Sequence, residues 1–428
     1  MTYDEAVSYL HMASARGWKF GLARVRELTK QLGMPQDRMR VIHIAGTNGK
    51  GSVGAMLASI LTSAGIRTGH FASPALTSPC DFFRLNTQEV SREQFASVIG
   101  KVSETAETME DLPTEYEVLA AAAYTLFAQE RCEIAVIECS LGGDTDCTNV
   151  ISAPLLSIIT NVQLDHQKVL GTTVGEIAQH KAGILKPQCP ALLNDTATAQ
   201  EGVEVIRAAA EQLGTPLHLL SEMPPLAADS VRMDREGLSF CAMGLPMHLP
   251  LLGRYQLENV QTVLAAAELL RKQGIALDPA AVRQGLSRVK WHGRFEVLHR
   301  DPPVIFDGAH NPDGIRQAHQ SLTQYLGKGK AVFLIGVMAD KDHSSYARLL
   351  RPHIDTVFTV TPDNPRALPA RELARYFREQ GIAAHACESI TEGVSLAFSL
   401  AKERGIPLIA LGSLYLYRAF CDAFSKNL

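Results

Sequence analysis

Paired cysteines are missing from this chain. Its eight cysteines, at positions 80, 132, 139, 147, 189, 241, 387 and 421, include no C-x-x-C pair. That scatter excludes a closely spaced zinc site and argues against a disulfide framework, so reduced thiols in a reducing compartment are expected. Long apolar runs are missing too. No stretch approaches the roughly 18 uninterrupted apolar residues of a membrane span. The opening MTYDEAVSYLHMASARGWKF carries acids early and lacks the basic, apolar and cleavage regions of a leader. Charge of one sign is scarce, with a net −4, which gives no electrostatic case for nucleic acid or an anionic membrane surface. Neither a repeat nor a low-complexity tract is visible. A cytoplasmic location, no nucleic-acid partner and no membrane association are the expectations.

What is present is an ordinary globular composition, 46% hydrophobic and 20% charged over 428 residues. That length exceeds what one core usually serves, so two domains are expected. Arg40 to Ala45 reads as a strand, followed by a glycine-rich turn and a helical stretch from Ser52 to Ala64. Ile134–Ile137 and Leu155–Ile159 are short, continuous and β-branched, as suits strands buried on both faces of a parallel sheet. Helical patterns such as Glu115–Glu130 lie between them, so the first part reads as α/β. Prolines 224, 225, 246 and 250 punctuate short strands over 216–250, which predicts a small β excursion before a helix from Leu257 to Gln273. After Trp291–Arg294 the alternation restarts, with strands at 304–306, 331–335, 357–360 and 408–411 and helices at 314–325, 346–350, 370–380 and 390–403. Two α/β domains meeting near residue 295 are expected, 1–294 and 295–428, with the cleft between them as the default site.

Strand 40–45 runs into Gly46-Thr47-Asn48-Gly49-Lys50-Gly51-Ser52 and then a helix. Glycines let backbone approach phosphate oxygens, a helix N-terminus offers N–H groups and partial positive charge, and Lys50 adds a full charge. Ser52 is placed to offer a hydroxyl to Mg²⁺. The pattern departs from G-x-x-x-x-G-K-[ST], with Ile44 at the first glycine and Gly51 between Lys50 and Ser52. The loop is expected to face solvent, with Lys50 packing against nothing. Glu138 and His166 each end a strand, where ligands of an open α/β sheet gather. Taken alone, Glu138 reads better as a helix cap, His166 as an ordinary buried histidine, and Lys181 as a surface lysine on a helix over 174–182.

The octapeptide Ala-Gly-Thr-Asn-Gly-Lys-Gly-Ser at 45–52 resembles the nucleotide loop of the folylpolyglutamate synthase/dihydrofolate synthase family and of the Mur ligases. Further segments resemble that family in order: Ser73-Pro74, Glu138 with Leu141–Val150, Thr160–His166, His180–Ile184, Gly253–Asn259, Trp291–Glu296, Asp307–Pro312 and Gly412–Leu416. The resemblance implies a P-loop-type ATPase domain with a mostly parallel sheet, followed by a Rossmann-like α/β domain. It implies ATP bound by Gly46 to Ser52 together with Asn259, Arg294 and Asp307, and His310 near the transferred phosphoryl. It implies Mg²⁺ held by Ser52, Ser73, Glu138, His166 and a carbamylated Lys181. The activity implied is ligation of L-glutamate to a folate or dihydropteroate through an acyl phosphate, with a monomer expected.

Two other readings fit parts of the pattern. A Mur-type ligase acting on a UDP-muramoyl peptide usually carries a UDP-binding domain before the loop, and about 45 residues precede it here. A non-catalytic nucleotide-binding regulator would not need Glu138, His166 and Lys181. The sequence also departs from the family. Ala75 stands where the family has an imidazole, Phe82 where it has a guanidinium, and Asp144 where it has an arginine. Neutral drift offset by Arg84 and a changed preference for the folate's tail are both open at this stage.

Overall fold

A computed structural model describes residues 1–227 and 230–427. Its strands run in chain order as β1 Arg40–Ala45, β2 Thr68–Phe71, β3 Phe83–Leu85, β4 Gln88–Glu89, β5 Ile134–Glu138, β6 Leu156–Ile159, β7 Ala191–Leu193 and β8 Leu217–Leu219. After β9 Arg232–Met233, β10 Leu238–Ala242 and β11 Leu245–Leu249 come β12 Glu296–Arg300, β13 Pro303–Asp307, β14 Ala331–Ile335, β15 Ile354–Thr359, β16 Ala384–Ala386 and β17 Leu408–Leu411. The chain forms two compact units. One holds Met1–Arg232, Ser239–Pro250 and Leu257–Val289; the other holds Met233–Leu238, Leu251–Gln256 and Lys290–Leu428.

The first unit is built on an eight-stranded sheet of order β4-β3-β2-β5-β1-β6-β7-β8. β1 lies centrally, parallel to β5 on one side and to β6 on the other. The register pairs Ile44 with Glu138 and Ala45 with Ile159, so the chain leaves β1, β5 and β6 at one edge of the sheet. β5 and β6 are buried throughout and apolar but for Glu138 and Ser157, as suits strands covered on both faces. Helix Lys50–Ser63 is buried over all of Ser52–Leu61, and it is small-residue rich because neighbours press on it. A Cβ on Gly54 would stand 2.7 Å from His70 Nε2. On another side Ser59 Oγ donates to Gly285 O at 2.7 Å. An all-round apolar helix of this kind belongs inside a core.

The β excursion expected from 216 begins later. β8, at 217–219, is the edge strand of the large sheet and pairs parallel with β7. Helix Gln200–Leu213 supplies the crossover that a parallel pair needs. β9, β10 and β11 form the separate three-stranded sheet.

The second unit carries a six-stranded sheet of order β12-β13-β17-β14-β15-β16. All its pairs are parallel except β12 with β13. Asp307 at the end of β13 is in register with Leu411 of β17, so ligand groups here also collect at the carboxyl edge.

Candidate active site

The glycine loop is stitched to the segment after β6. Asn161 Oδ1 accepts from the N–H groups of Thr47 at 3.2 Å and Asn48 at 2.9 Å. Thr160 Oγ1 donates to Asn48 O at 2.6 Å, and Thr47 Oγ1 accepts from Gln163 N at 3.0 Å. Two positions demand glycine. Gly46 has φ +152°, and a Cβ there would lie 1.9 Å from Thr160 Oγ1. Gly49, the N-cap of helix Lys50–Ser63, has φ +87°, and its Cβ would lie 2.5 Å from Asn259 Oδ1. Asn259 therefore packs directly on the loop. The helix opens without a side-chain cap, which leaves its dipole end to the loop.

Lys50 corrects the expectation of a solvent-facing, unpacked side chain. Its side chain is only 14% exposed, and Nζ donates to Gly46 O at 3.0 Å and Thr47 O at 3.3 Å. Those carbonyls curl back over the ammonium because the loop turns sharply at Gly46. Nζ also lies 3.9 Å from Glu138 Oε1, so strand register brings the lysine and the carboxylate together.

Lys181 is not a surface lysine: 3% of it is exposed. Burial first, and the charge of Lys50 second, lower its pKa to about 7, against smaller opposing effects of Cys139, Asp165 and Asp146. Near neutral pH the amine is thus substantially uncharged. His166 is not a buried histidine either. It sits with φ +51° as N-cap of the short helix Gln167–Leu170, a third exposed, with Nε2 at 3.9 Å from Asp165 Oδ2. Ser73 follows β2, and Tyr116 OH donates to its Oγ at 3.4 Å. Among the described residues no three or more His, Cys, Asp or Glu side chains converge on one point. Ser52, Ser73 and Glu138 are hard oxygen donors, few in number, which suits Mg²⁺ completed by phosphate and water better than a softer ion in an all-protein cage.

In the second unit, Asp307 is 3% exposed and both oxygens of its carboxylate accept hydrogen bonds. Oδ2 accepts from Tyr255 OH at 3.0 Å and Phe295 N at 3.1 Å, and Oδ1 from Ala309 N at 2.8 Å. Burial raises its pKa while Arg294 opposes the rise. A Cβ on Gly308 would stand 2.5 Å from Arg294 Nη1, and His310 Nδ1 is 3.0 Å from Gly308 O. Arg294, Asp307 and His310 thus gather around one glycine. The loop, Asn259, Glu138 and Lys181 gather in the first unit.

Sequence reasoning missed the groups that hold these residues. Thr160, Asn161 and Tyr255 lie inside the segments that carry the resemblance but have no role of their own assigned there, and Tyr116 lies in none; all four bond to site residues or their loop. A buried chain runs from Asp146 Oδ1 to Thr148 Oγ1 at 2.5 Å, from there to His43 Nε2 at 2.9 Å, and on to Cys139 Sγ at 3.1 Å. The three departures also find places. Phe82 stacks on Phe71 with centroids 6.1 Å apart, and Asp144 Oδ2 meets His180 Nδ1 at 2.9 Å. Ala75 opens a turn in which Leu76 and Thr77 donate their N–H groups to Asp81 Oδ2. Arg84 is held elsewhere, by Asp81 O at 2.6 Å and Glu89 Oε1 at 3.3 Å.

A Mur ligase middle domain matches residues 44–267, and a Mur ligase glutamate ligase domain matches 293–413. Fold and site together define the class, a ligase of the Mur type. The chain is 32% identical over 438 residues to the folylpolyglutamate synthase of Lacticaseibacillus casei, covering 98% of each. It is 32% identical over 382 residues to the dihydrofolate synthase/folylpolyglutamate synthase of Bacillus subtilis, 87% of this chain and 88% of that one. Crystal structures of Mycobacterium tuberculosis folylpolyglutamate synthase complexed with ADP and AMPPCP superpose with a TM-score of 0.88 at 28% identity, over 98% of this chain and 99% of theirs. The chain belongs to the folylpolyglutamate synthase/dihydrofolate synthase family.

Proposed function

We propose that this enzyme uses ATP to join L-glutamate to a folate or dihydropteroate carboxylate. The supporting observation is the packed loop with Lys50 3.9 Å from Glu138 at the carboxyl edge of β1 and β5. A carboxylate oxygen of the pterin substrate attacks the γ-phosphorus and ADP leaves. The glutamate nitrogen then attacks the acyl carbon, phosphate departs, and the nitrogen loses a proton. Phosphate leaves far more easily than hydroxide, which is what the ATP provides. Lys50 and Arg294 offset charge on the transferred phosphoryl, and His310 lies near it. Gly46, Thr47, Asn48, Gly49, Gly51 and Ser52 cradle the phosphates, and Asn259 and Asp307 hold the nucleoside.

Mg²⁺, when bound, would neutralise phosphate charge, and Ser52, Ser73, Glu138, His166 and Lys181 would hold it. Lys181 takes part as a carbamate: its neutral nitrogen adds to the carbon of CO₂ and loses a proton, leaving an anionic ligand. Its burial beside Lys50 supports this reading. The ATP-binding part spans 1–294 and the glutamate-ligase part 295–428, in a cytoplasmic monomer. The test is an assay with ATP, Mg²⁺ and radiolabelled L-glutamate, run with dihydropteroate and tetrahydrofolate side by side. Incorporation with one ADP per glutamate is expected, and ATP hydrolysis without incorporation would refute the reading.

A further inference from the structure

The glycines after Glu138 have a packing role against the turn that carries Lys181. A Cβ on Gly143 would stand 2.8 Å from His180 O and 3.0 Å from Lys181 O. From the opposite side, a Cβ on Gly183 would stand 2.3 Å from the Cα of Asp144. Two backbones therefore meet directly at the end of helix Val174–Ala182.

Polar bonds cross this contact on both flanks of Lys181. Before it, the Asp144 N–H donates to His180 O at 2.9 Å, and the Asp144 carboxylate meets His180 Nδ1. After it, Asn149 Nδ2 donates to Gly183 O at 3.0 Å and reaches Asp144 O at 3.4 Å. The last carbonyls of a helix have no partner within the helix. Gly183, the C-cap, is right-handed with φ −61°, so no left-handed glycine turn closes this end. A donor comes instead from Asn149, a side chain only 3% exposed and 34 residues away in sequence. The loop that presents it is itself braced. Asp146 accepts from Leu141 N at 2.9 Å and Thr148 N at 3.0 Å, and Thr148 is bonded to His43 of β1. The chain leaving Glu138 thus reaches across and fixes the helix end bearing the site's buried lysine.

We propose that Asn149 is a positioning residue: its amide locks the final turn of helix 174–182, and with it the direction in which buried Lys181 faces Lys50. This rests on the reading of Lys181 as a site residue. Asn149→Ala is expected to lower kcat by about 10–100-fold, the usual scale for a small misplacement at an active site. KM for ATP should stay near wild type, because the glycine loop is held by Asn161 and Thr160 instead. Hydrogen–deuterium exchange should rise over residues 180–185 and stay unchanged over 46–52, a pattern that a general loss of stability would not give. Wild-type kcat in Asn149→Ala, or a kcat loss without faster exchange at 180–185, overturns the proposal. Asp144→Asn, on a half-exposed side chain of the same loop, carries the same expectations in milder form if Asn149→Ala does not fold. Lys181→Ala distinguishes the premise from the inference. If it stays active, the site reading of Lys181 fails; if it is inactive while Asn149→Ala is fully active, only the positioning role fails.

Discussion

Lys50 Nζ stands 3.9 Å from Glu138 Oε1, a distance set by the parallel register of β1 with β5 and not by any local motif. The lysine is also tied to two carbonyls of its own loop. Lys50→Ala therefore removes both a positive charge and the brace that shapes the loop. A loss of about 10²–10³-fold or more in kcat is expected, the scale of removing one electrostatic stabiliser. Folate-dependent ADP release measures it, with the far-ultraviolet dichroism melt checking the fold. Wild-type turnover in that variant would remove the loop from the mechanism.

The carbamate makes a separate prediction. Lys181→Ala should be inactive, and acetate or formate should restore part of the activity by placing a carboxylate in the vacated space. In wild type grown or exchanged with ¹³C-bicarbonate, a carbamate carbon resonance should appear that is absent from Lys181→Ala. Activity of wild type with no such resonance would leave Lys181 as a plain amine.

These two residues show what was legible in the sequence and what was not. The strand–loop–helix of residues 40–63 could be read because an apolar run, four glycines in the segment 46–54 and an apolar helix follow each other locally. Even so, the helix starts at Lys50 and not Ser52, because Gly49 takes a left-handed N-cap that only the folded loop reveals. Lys181 could not be placed from its own segment, where a lysine between a histidine and an alanine looks solvated. Its burial is decided by the chain after Glu138, packed on it through Gly143 and Asn149. β7 is not legible because three residues are too short for a periodicity to register, and β8, inside the short-strand stretch expected from 216, belongs to the large sheet through a pairing with β7 that no local pattern shows.

Acid should destabilise the fold through two buried histidines. His43 and His70 have pKa values lowered from 6.5 to about 3, chiefly by burial. The unfolded chain therefore binds more protons than the folded one between those values. The stability they contribute is full above about pH 6.5 and is lost as pH falls toward 3. At pH 5 each costs about 2 kcal/mol relative to neutral pH, at 1.36 kcal/mol per unit. Asp146 and Asp307 have raised pKa values and oppose this loss only as pH falls through their own range. Urea midpoints at pH 7 and 5 should differ markedly in wild type and less in His70→Gln. Equal shifts in the two proteins would mean that His70 is not the titrating group.

The length of the folate's glutamate tail provides the last test. Tails are polyanions, and this chain has Ala75, Phe82 and Asp144 where the family resemblance leads one to expect cations. Phe82 is committed to a ring stack on Phe71, and Asp144 adds a negative charge held by His180. Arg84, the nearby cation, is bonded to Asp81 O and Glu89, and the Glu89 carboxylate offsets its charge. A unit charge change at 4 Å alters an interaction by about 4 kcal/mol at an effective dielectric of 20, before screening reduces it. Wild type should therefore lose kcat/KM as the tetrahydrofolate tail grows from one glutamate to three. Asp144→Asn keeps the shape of the side chain and removes its charge. It lowers kcat through the helix contact for every substrate alike, so the ratio of triglutamate to monoglutamate kcat/KM isolates the electrostatic effect. That ratio should rise severalfold at low ionic strength and return toward wild type in high salt, where surface charges are screened. A ratio unmoved by the substitution at any salt concentration would leave Asp144 with its structural role alone.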